Sequence, residues 1–238
     1  MINNSIGIIG ALQAETNELI SKMQEKSVKT IAGREFHEGE LWNKPVVIVT
    51  CGIGKVNAAI CTQILIDNFS VNRIIHTGVA GGLEKTLEPG DLVIATSFIQ
   101  HDMDTTKFGD KLGQVPNMDT FDFPCDSELQ KKAIIAVKTA ISKTGSNWKS
   151  LTGLIASGDQ FIAEKEKSLF IRDTFNAVAC EMEGAAVAQT CYLNKIPLVV
   201  LRAISDNAST GAVEDYSAFL KKAVARTISV MQELLSLI

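Results

Sequence analysis

Several apolar runs with almost no polar alternation constrain this chain most: Ile6-Gly7-Ile8-Ile9, Val46-Val47-Ile48-Val49, Ile74-Ile75 and Leu198-Val199-Val200-Leu201. A strand wet on one face alternates apolar and polar side chains, whereas an unbroken apolar run belongs to a sheet covered on both faces. Here such runs are separated by segments of helical periodicity, which predicts helices on both sides of a central sheet. The fold class is therefore α/β, a three-layer α/β/α sandwich.

The pattern places strands at 5–10, 33–42, 45–50, 73–77, 91–100, 151–156, 177–180 and 198–204. It places helices at 13–23, 55–68, 127–143, 183–192 and 216–237. The hairpin-like stretch 33–50 makes the central sheet mixed rather than purely parallel. Residues 101–126, rich in polar residues, Gly and Pro, read as a long irregular loop of the kind that is usually functional or mobile. No repeat, low-complexity tract or linker interrupts the chain, so residues 1–238 are expected to form a single domain.

Composition narrows the class of partner. The formal charge is −4 and no basic run stands out, which argues against a nucleic-acid groove or an anionic membrane as the main partner. The five cysteines (Cys51, Cys61, Cys125, Cys180 and Cys191) show no C-x-x-C spacing and have mostly apolar neighbours, as expected of buried thiols in a reducing compartment. The first basic residue is Lys22, so the charged start of a signal peptide is missing, and 6–12 is too short to span a bilayer. A cytoplasmic location is expected.

In open α/β sheets ligands bind beyond the carboxyl ends of the strands. The residues there are 10–15, 78–82, 157–161, 181–183 and 205–207, which bring carboxylates, glycine-rich backbone and an aromatic ring. No His lies among them, and the nearest Cys is Cys180 at the border, so a Ser–His or Cys–His nucleophile is not expected. Taken alone, Glu15 reads as an acid favoured by the dipole in a helix's first turn. Asp206 alone reads as a helix cap or turn residue. Glu183 is harder to set aside, because Glu181-Met182-Glu183 stands between an apolar strand and the small-residue run Gly184-Ala185-Ala186-Val187-Ala188. Three carboxylates on one rim suit glycosyl transfer. Phe161 reads equally as a core plug or as a ring for a flat ligand.

Two further motifs carry less. Gly52-Ile53-Gly54-Lys55-Val56-Asn57 has Asn57 where a dinucleotide fingerprint has its third glycine, and it lacks the acid about twenty residues on, so a tight strand-to-helix turn is the better reading. His101-Asp102-Met103-Asp104 lacks metal-ligand spacing and reads as a loop anchored by local hydrogen bonds.

Together six motifs resemble one family. Ile8-Ile9-Gly10-Ala11-Leu12-Gln13-Ala14-Glu15, Gly52-Ile53-Gly54-Lys55-Val56, Thr77-Gly78-Val79-Ala80-Gly81-Gly82, Ser157-Gly158-Asp159-Gln160-Phe161, Glu181-Met182-Glu183 and Arg202-Ala203-Ile204-Ser205-Asp206 stand in the order and spacing of the 5′-methylthioadenosine/S-adenosylhomocysteine nucleosidases. The resemblance spans nearly the whole chain and implies a nucleoside phosphorylase-like sandwich. It also implies hydrolysis of an adenosine-type N-glycosidic bond with no cofactor and no metal, in methionine salvage and nucleoside catabolism, by a homodimer.

The resemblance also assigns roles. Asp206 is the general acid at the purine N7, and Glu15 activates the attacking water. Glu183 binds the ribose hydroxyls, and Met182 packs on the ribose. Phe161 stacks on adenine, whose edge meets the Ile162 backbone, while Ala80 and Gly81 line the base and sugar pocket. Ser205 and Arg202 support Asp206, with Glu181 beside them. Leu12, Ile53, Val79 and Phe108 are candidates for an apolar 5′ pocket, and the loop with Phe108 and Pro116 reaches toward the partner's pocket. For this chemistry Asp206 must hold a proton, its pKa raised by burial, while Glu15 is ionised.

Two departures from the family pattern stand out. Leu12-Gln13-Ala14-Glu15 replaces a more acidic run but keeps the last acid. The loop Lys107-Phe108-Gly109-Asp110-Lys111-Leu112-Gly113-Gln114 lacks the tyrosines common there, which leaves the 5′ preference open, 6-amino-6-deoxyfutalosine included. A phosphorylase would need cations at an anion site, and a non-catalytic nucleoside-binding protein is the remaining alternative.

Overall fold

The computed structural model describes residues 5–145, 147–207 and 212–238, and of residues 207 and 212–222 the backbone only. The apolar runs become the central strands β1 (Ile6–Gly10), β4 (Lys44–Thr50), β5 (Arg73–Gly82) and β10 (Leu198–Asn207). Around them lie β2 (Gln24–Ile31), β3 (Arg34–Leu41), β6 (Leu92–Gln100), β7 (Phe123–Pro124), β8 (Ser150–Ser157) and β9 (Ala179–Glu181). The helices are α1 (Gln13–Lys22), α2 (Lys55–Phe69), α3 (Ser127–Thr144), α4 (Lys165–Phe175), α5 (Gly184–Asn194) and α6 (Ala212–Leu237).

The sheet is mixed, as the hairpin pattern predicts. β1 pairs in parallel with β4 and β5, and β5 with β10, while β2–β3–β4 run antiparallel. One apolar layer joins α1, α3 and α6 to the sheet through Leu19, Ala133, Val137, Met231 and Leu234. The opposite layer seats α2 and α5 through Ala58, Cys61, Leu65, Ala185, Val187 and Cys191. α4 closes a third cluster, burying Ile171 and Phe175 against Ile99 and Ala156. All five cysteines are buried and free. Among the described residues no helix is long and apolar enough to cross a membrane.

Two elements escape the sequence pattern. β2 is exposed along nearly its whole length and pairs only with β3. It carries Glu25, Lys26 and Lys29, charges that blunt a sheet edge against further pairing rather than fill a core. α4 buries only one narrow stripe, Ser168, Ile171 and Phe175, at helical spacing within an otherwise charged segment. The loop over 101–126 holds one 3-10 turn, Thr106–Phe108, and the short β7 against β6.

β5 positions everything that follows. It does not end at Thr77 but runs on through its glycines to Gly82, paired along its length with β10. On its other side β1 pairs only as far as His76, and β9 takes over at Gly81. Between them Thr77, Gly78, Val79 and Ala80 have no strand partner on that side. The pairings β5–β10, β10–β6, β6–β8, β8–β9 and β9–β5 close a ring, so the sheet forks at this point. A fork of this kind leaves backbone groups pointing into a crevice, where open α/β sheets bind ligands.

Candidate active site

A cavity of about 270 Å³ opens at the fork. Of the residues singled out from the sequence, Leu12, Glu15, Ala80, Gly81, Phe161, Ile162, Glu181, Met182, Glu183, Ser205 and Asp206 line it, joined by Ile53 and Val79. Ala11, Gln160 and Cys180 also line it, and among the described residues no Lys or Arg is part of it. Arg202 lies behind the wall, fully buried. Phe108 departs from the expectation of a 5′ wall in its own chain. It is 89% exposed on the 3-10 turn and does not line this cavity, because the turn carries it outward.

Both carboxylate oxygens of Glu15 are held by backbone amides. One carboxylate oxygen accepts the amides of Ala11 and of the N-cap Leu12, just before α1, at 2.7 and 2.9 Å, as a helix-start acid does. The other accepts the Val79 amide, one of the groups freed by the fork, at 3.0 Å. Burial pushes its pKa up, opposed by the Arg202 charge and by the three amides. A carboxylate so placed is a stronger base than an exposed one and is held in a single orientation. Gly78 makes room for this. A Cβ there would lie 2.7 Å from Glu15 Oε1 and would collide with the Arg202 guanidinium.

Glu183 stands at the start of α5 and accepts the Gly54 amide at 2.8 Å. Gly54 has φ 97°, a conformation that suits glycine. The Gly52–Gly54 turn is thus not a phosphate loop but the device that hands an amide to Glu183. Burial, then repulsion from Glu181, push the Glu183 carboxyl up to about 7 against the pull of Arg202. Glu181 is saturated: it accepts from the Ser157 hydroxyl, the Glu183 and Gly184 amides, and the Arg202 guanidinium. It holds the rim in shape rather than meeting a ligand with free valence.

Asp206 is neither a helix cap nor a turn residue. β10 runs on past 204, and its register against β5 shifts between Ile204 and Asp206. Such a bulge re-aims side chains at a sheet rim, and here both Ser205 and Asp206 face the cavity. The Ser205 hydroxyl donates to Asp206 Oδ2 at 2.7 Å. Arg202 supports the other side of the pocket: it donates to Glu181, to the Thr77 carbonyl at 3.2 Å and to His76 Nε2. Phe161 is 55% exposed at the cavity mouth, which removes the core-plug reading. Ile162 is buried beside it.

The 101–104 motif is anchored only in part by local hydrogen bonds, and its Asp102 is held by residues distant in sequence. Asp102 pairs with Lys55 at 2.7 Å and takes the Asp159 amide, while Asp104 takes the Thr106 hydroxyl and amide. Among the described residues no group of three or more His, Cys, Asp or Glu side chains could hold a metal ion.

A family model described as the Phosphorylase superfamily matches residues 5–236. A 5′-methylthioadenosine/S-adenosylhomocysteine nucleosidase from Staphylococcus haemolyticus is 40% identical over 98% of this chain and 100% of its own length. The chain belongs to the 5′-methylthioadenosine/S-adenosylhomocysteine nucleosidase family. Within this family and fold, the Neisseria meningitidis nucleosidase in complex with methylthio-immucillin-A superposes with a TM-score of 0.91 at 37% identity, covering 99% of this chain and 100% of that one. A futalosine hydrolase of Helicobacter pylori superposes with a TM-score of 0.89 at 32% identity, covering 99% of each chain. The three-layer mixed-sheet fold expected from the sequence is that of these structures.

Sequence reasoning missed three parts of the site. Cys180 stood at the border of the motif set and proves to line the cavity, its thiol kept protonated by burial. Ser157 was part of a motif without a role, and it anchors Glu181 and the Ala185 amide. His76 was an isolated polar residue in an apolar strand, and that anomaly was the available signal.

Proposed function

We propose that this chain hydrolyses the N-glycosidic bond of 5′-methylthioadenosine and S-adenosylhomocysteine, releasing adenine and the corresponding 5-thioribose. One observation carries the reading: a single cavity gathers Glu15, Glu183 and Asp206, all buried, with no cation among the described residues of its lining. A phosphorylase needs cationic donors for its attacking phosphate, whereas water needs only a base.

Adenine leaves poorly as an anion. Asp206 donates a proton to N7 as the C1′–N9 bond breaks, with the Ser205 hydroxyl holding its carboxyl in place. The sugar becomes oxocarbenium-like, as in other glycoside cleavages. Water attacks C1′ and gives its proton to Glu15, whose raised proton affinity suits that task. Each proton transfer contributes roughly 10²–10⁴-fold. Glu183 accepts the ribose hydroxyls and Met182 covers the ribose. Phe161 stacks on the base, the Ile162 backbone meets its edge, and Ala80 and Gly81 floor the pocket. Leu12, Ile53 and Val79 offer an apolar wall for the thioether. No cofactor enters this scheme.

The enzyme is proposed to work as one domain and as a cytoplasmic homodimer, with five buried free thiols suited to a reducing compartment. Dimerisation is supported by α2, which leaves Val56 and Ile60 exposed beside Ile53. The exposed Phe108 and the neighbouring Pro116 loop would then reach the partner's cavity.

A substrate panel tests the reading. Adenine release is followed with 5′-methylthioadenosine, S-adenosylhomocysteine and 6-amino-6-deoxyfutalosine. The first two are expected to be cleaved. Cleavage of the third alone would move the specificity to futalosine-type nucleosides, and cleavage of none would leave a nucleoside-binding protein.

A further inference from the structure

One fully buried polar residue of the central sheet takes no part in the scheme above. His76 is fully buried at the centre of β5, between β1 and β10. Its two nitrogens are engaged differently. Nδ1 lies 2.9 Å from the Ile9 carbonyl, an acceptor only, so Nδ1 carries the proton and donates. Nε2 is left as an acceptor and receives the Arg202 guanidinium. Burial, reinforced by the Arg202 charge, holds the imidazole neutral far below its usual titration range.

Arg202 is a buried cation surrounded by acids. The acids around it come from three elements: Glu15 from α1, Glu181 from β9 and Glu183 from the start of α5, with the Cys51 thiol at the end of β4. A guanidinium is planar and its donors are fixed in a fork, so its orientation decides which acids it serves. Nη2 donates to both His76 Nε2 and Glu181, while Nη1 meets the Thr77 carbonyl.

We propose that His76 is a positioning residue. Its neutral imidazole, pinned by the Ile9 carbonyl, locks the Arg202 guanidinium in the orientation that serves as counter-charge to the carboxylates around the nucleoside cavity. The claim rests on the proposed hydrolysis for its kinetic consequence but not for its structural one. Arg202 Nε already lacks a hydrogen-bond partner in this dry site, so loss of the Nε2 acceptor leaves a second unsatisfied donor and favours reorientation of the guanidinium. Glu15 and Glu183 then lose part of their counter-charge and hold protons more tightly. The active, ionised form of Glu15 then requires a higher pH.

The test combines spectroscopy on the intact protein with kinetics of two variants. The chain has three histidines, so ¹⁵N-imidazole resonances are assignable by single substitution. His76 is expected as the Nδ1–H tautomer, with shifts constant from pH 8 to pH 5. An imidazole that protonates within that range, or the Nε2–H tautomer, would overturn the proposal whether or not the protein cleaves any nucleoside. Kinetically, His76→Leu should lower kcat/KM by about tenfold or more and move its acid limb to higher pH. His76→Gln, which restores an acceptor for Arg202, should recover most of the rate and the original limb. Superimposable pH profiles for wild type and His76→Leu would refute the positioning role, as would a His76→Gln profile shifted in the way expected of the leucine variant. An inactive wild type with the expected tautomer would fell the proposed function and leave the His76 assignment standing.

Discussion

Replacing Glu183 by glutamine should make the ligand-free protein more stable while damaging its function. Buried beside Glu181, the Glu183 carboxyl is pushed from an ordinary 4.5 up to about 7. The folded state therefore binds this proton more tightly than the unfolded chain. The favourable contribution is fully present below 4.5 and is lost as pH rises through about 7. At 1.36 kcal/mol per pKa unit, the ionised group costs the folded state about 3 kcal/mol at pH 8 and under about 1 kcal/mol at pH 5. Glutamine has nearly the same shape, keeps an oxygen for the Gly54 amide and never ionises. In thermal unfolding without ligand, Glu183→Gln should exceed wild type at pH 8 by up to about 10 °C, given roughly 2–4 °C per kcal/mol for a chain of this size. The gap should largely close at pH 5. Its KM should rise, because ribose hydroxyls lose an anionic acceptor. Equal melting at pH 8, or a variant less stable than wild type there, would refute the claim that the carboxylate is held at the rim under electrostatic cost.

Asp206→Asn and Glu15→Gln should each reduce kcat by roughly 10²–10⁴-fold with the fold intact by circular dichroism, and near-wild-type turnover in either would remove the role given to that residue. Phe161→Ala should raise KM more than it lowers kcat, since the ring is exposed at the mouth and bears on binding rather than on proton transfer; steady-state kinetics separates the two. Gly78→Ala places a methyl group against Glu15 and Arg202 and should destabilise by about 1–3 kcal/mol while lowering activity, both measurable on one preparation.

The fold was legible where hydrophobic burial writes itself into the chain. The runs at β1, β4, β5 and β10 announce a sheet covered on both faces, and the hairpin over 33–50 announces its mixed sense. β2 was not legible, because a charged edge strand has no core face to pattern. α4 shows too narrow an apolar stripe within a charged segment. The site was legible through its carboxylates, but their environment was not. Nothing local shows that β5 continues through its glycines, that the fork frees the Val79 amide for Glu15, or that a bulge turns both Ser205 and Asp206 inward. Arg202 illustrates the limit: the motif puts it four residues before Asp206, yet its hydrogen bonds reach across to Glu181 and His76. Those contacts join residues far apart in sequence and exist only once the strands are assembled.

The most direct test of the central claim is the identity of the sugar released from 5′-methylthioadenosine in the presence and absence of phosphate. A cavity lined by Glu15, Glu183 and Asp206, with no cation among its described residues, predicts free 5-methylthioribose and adenine at a rate independent of phosphate. Formation of 5-methylthioribose 1-phosphate, at a rate that rises with phosphate, would contradict it and end the water-activating role of Glu15.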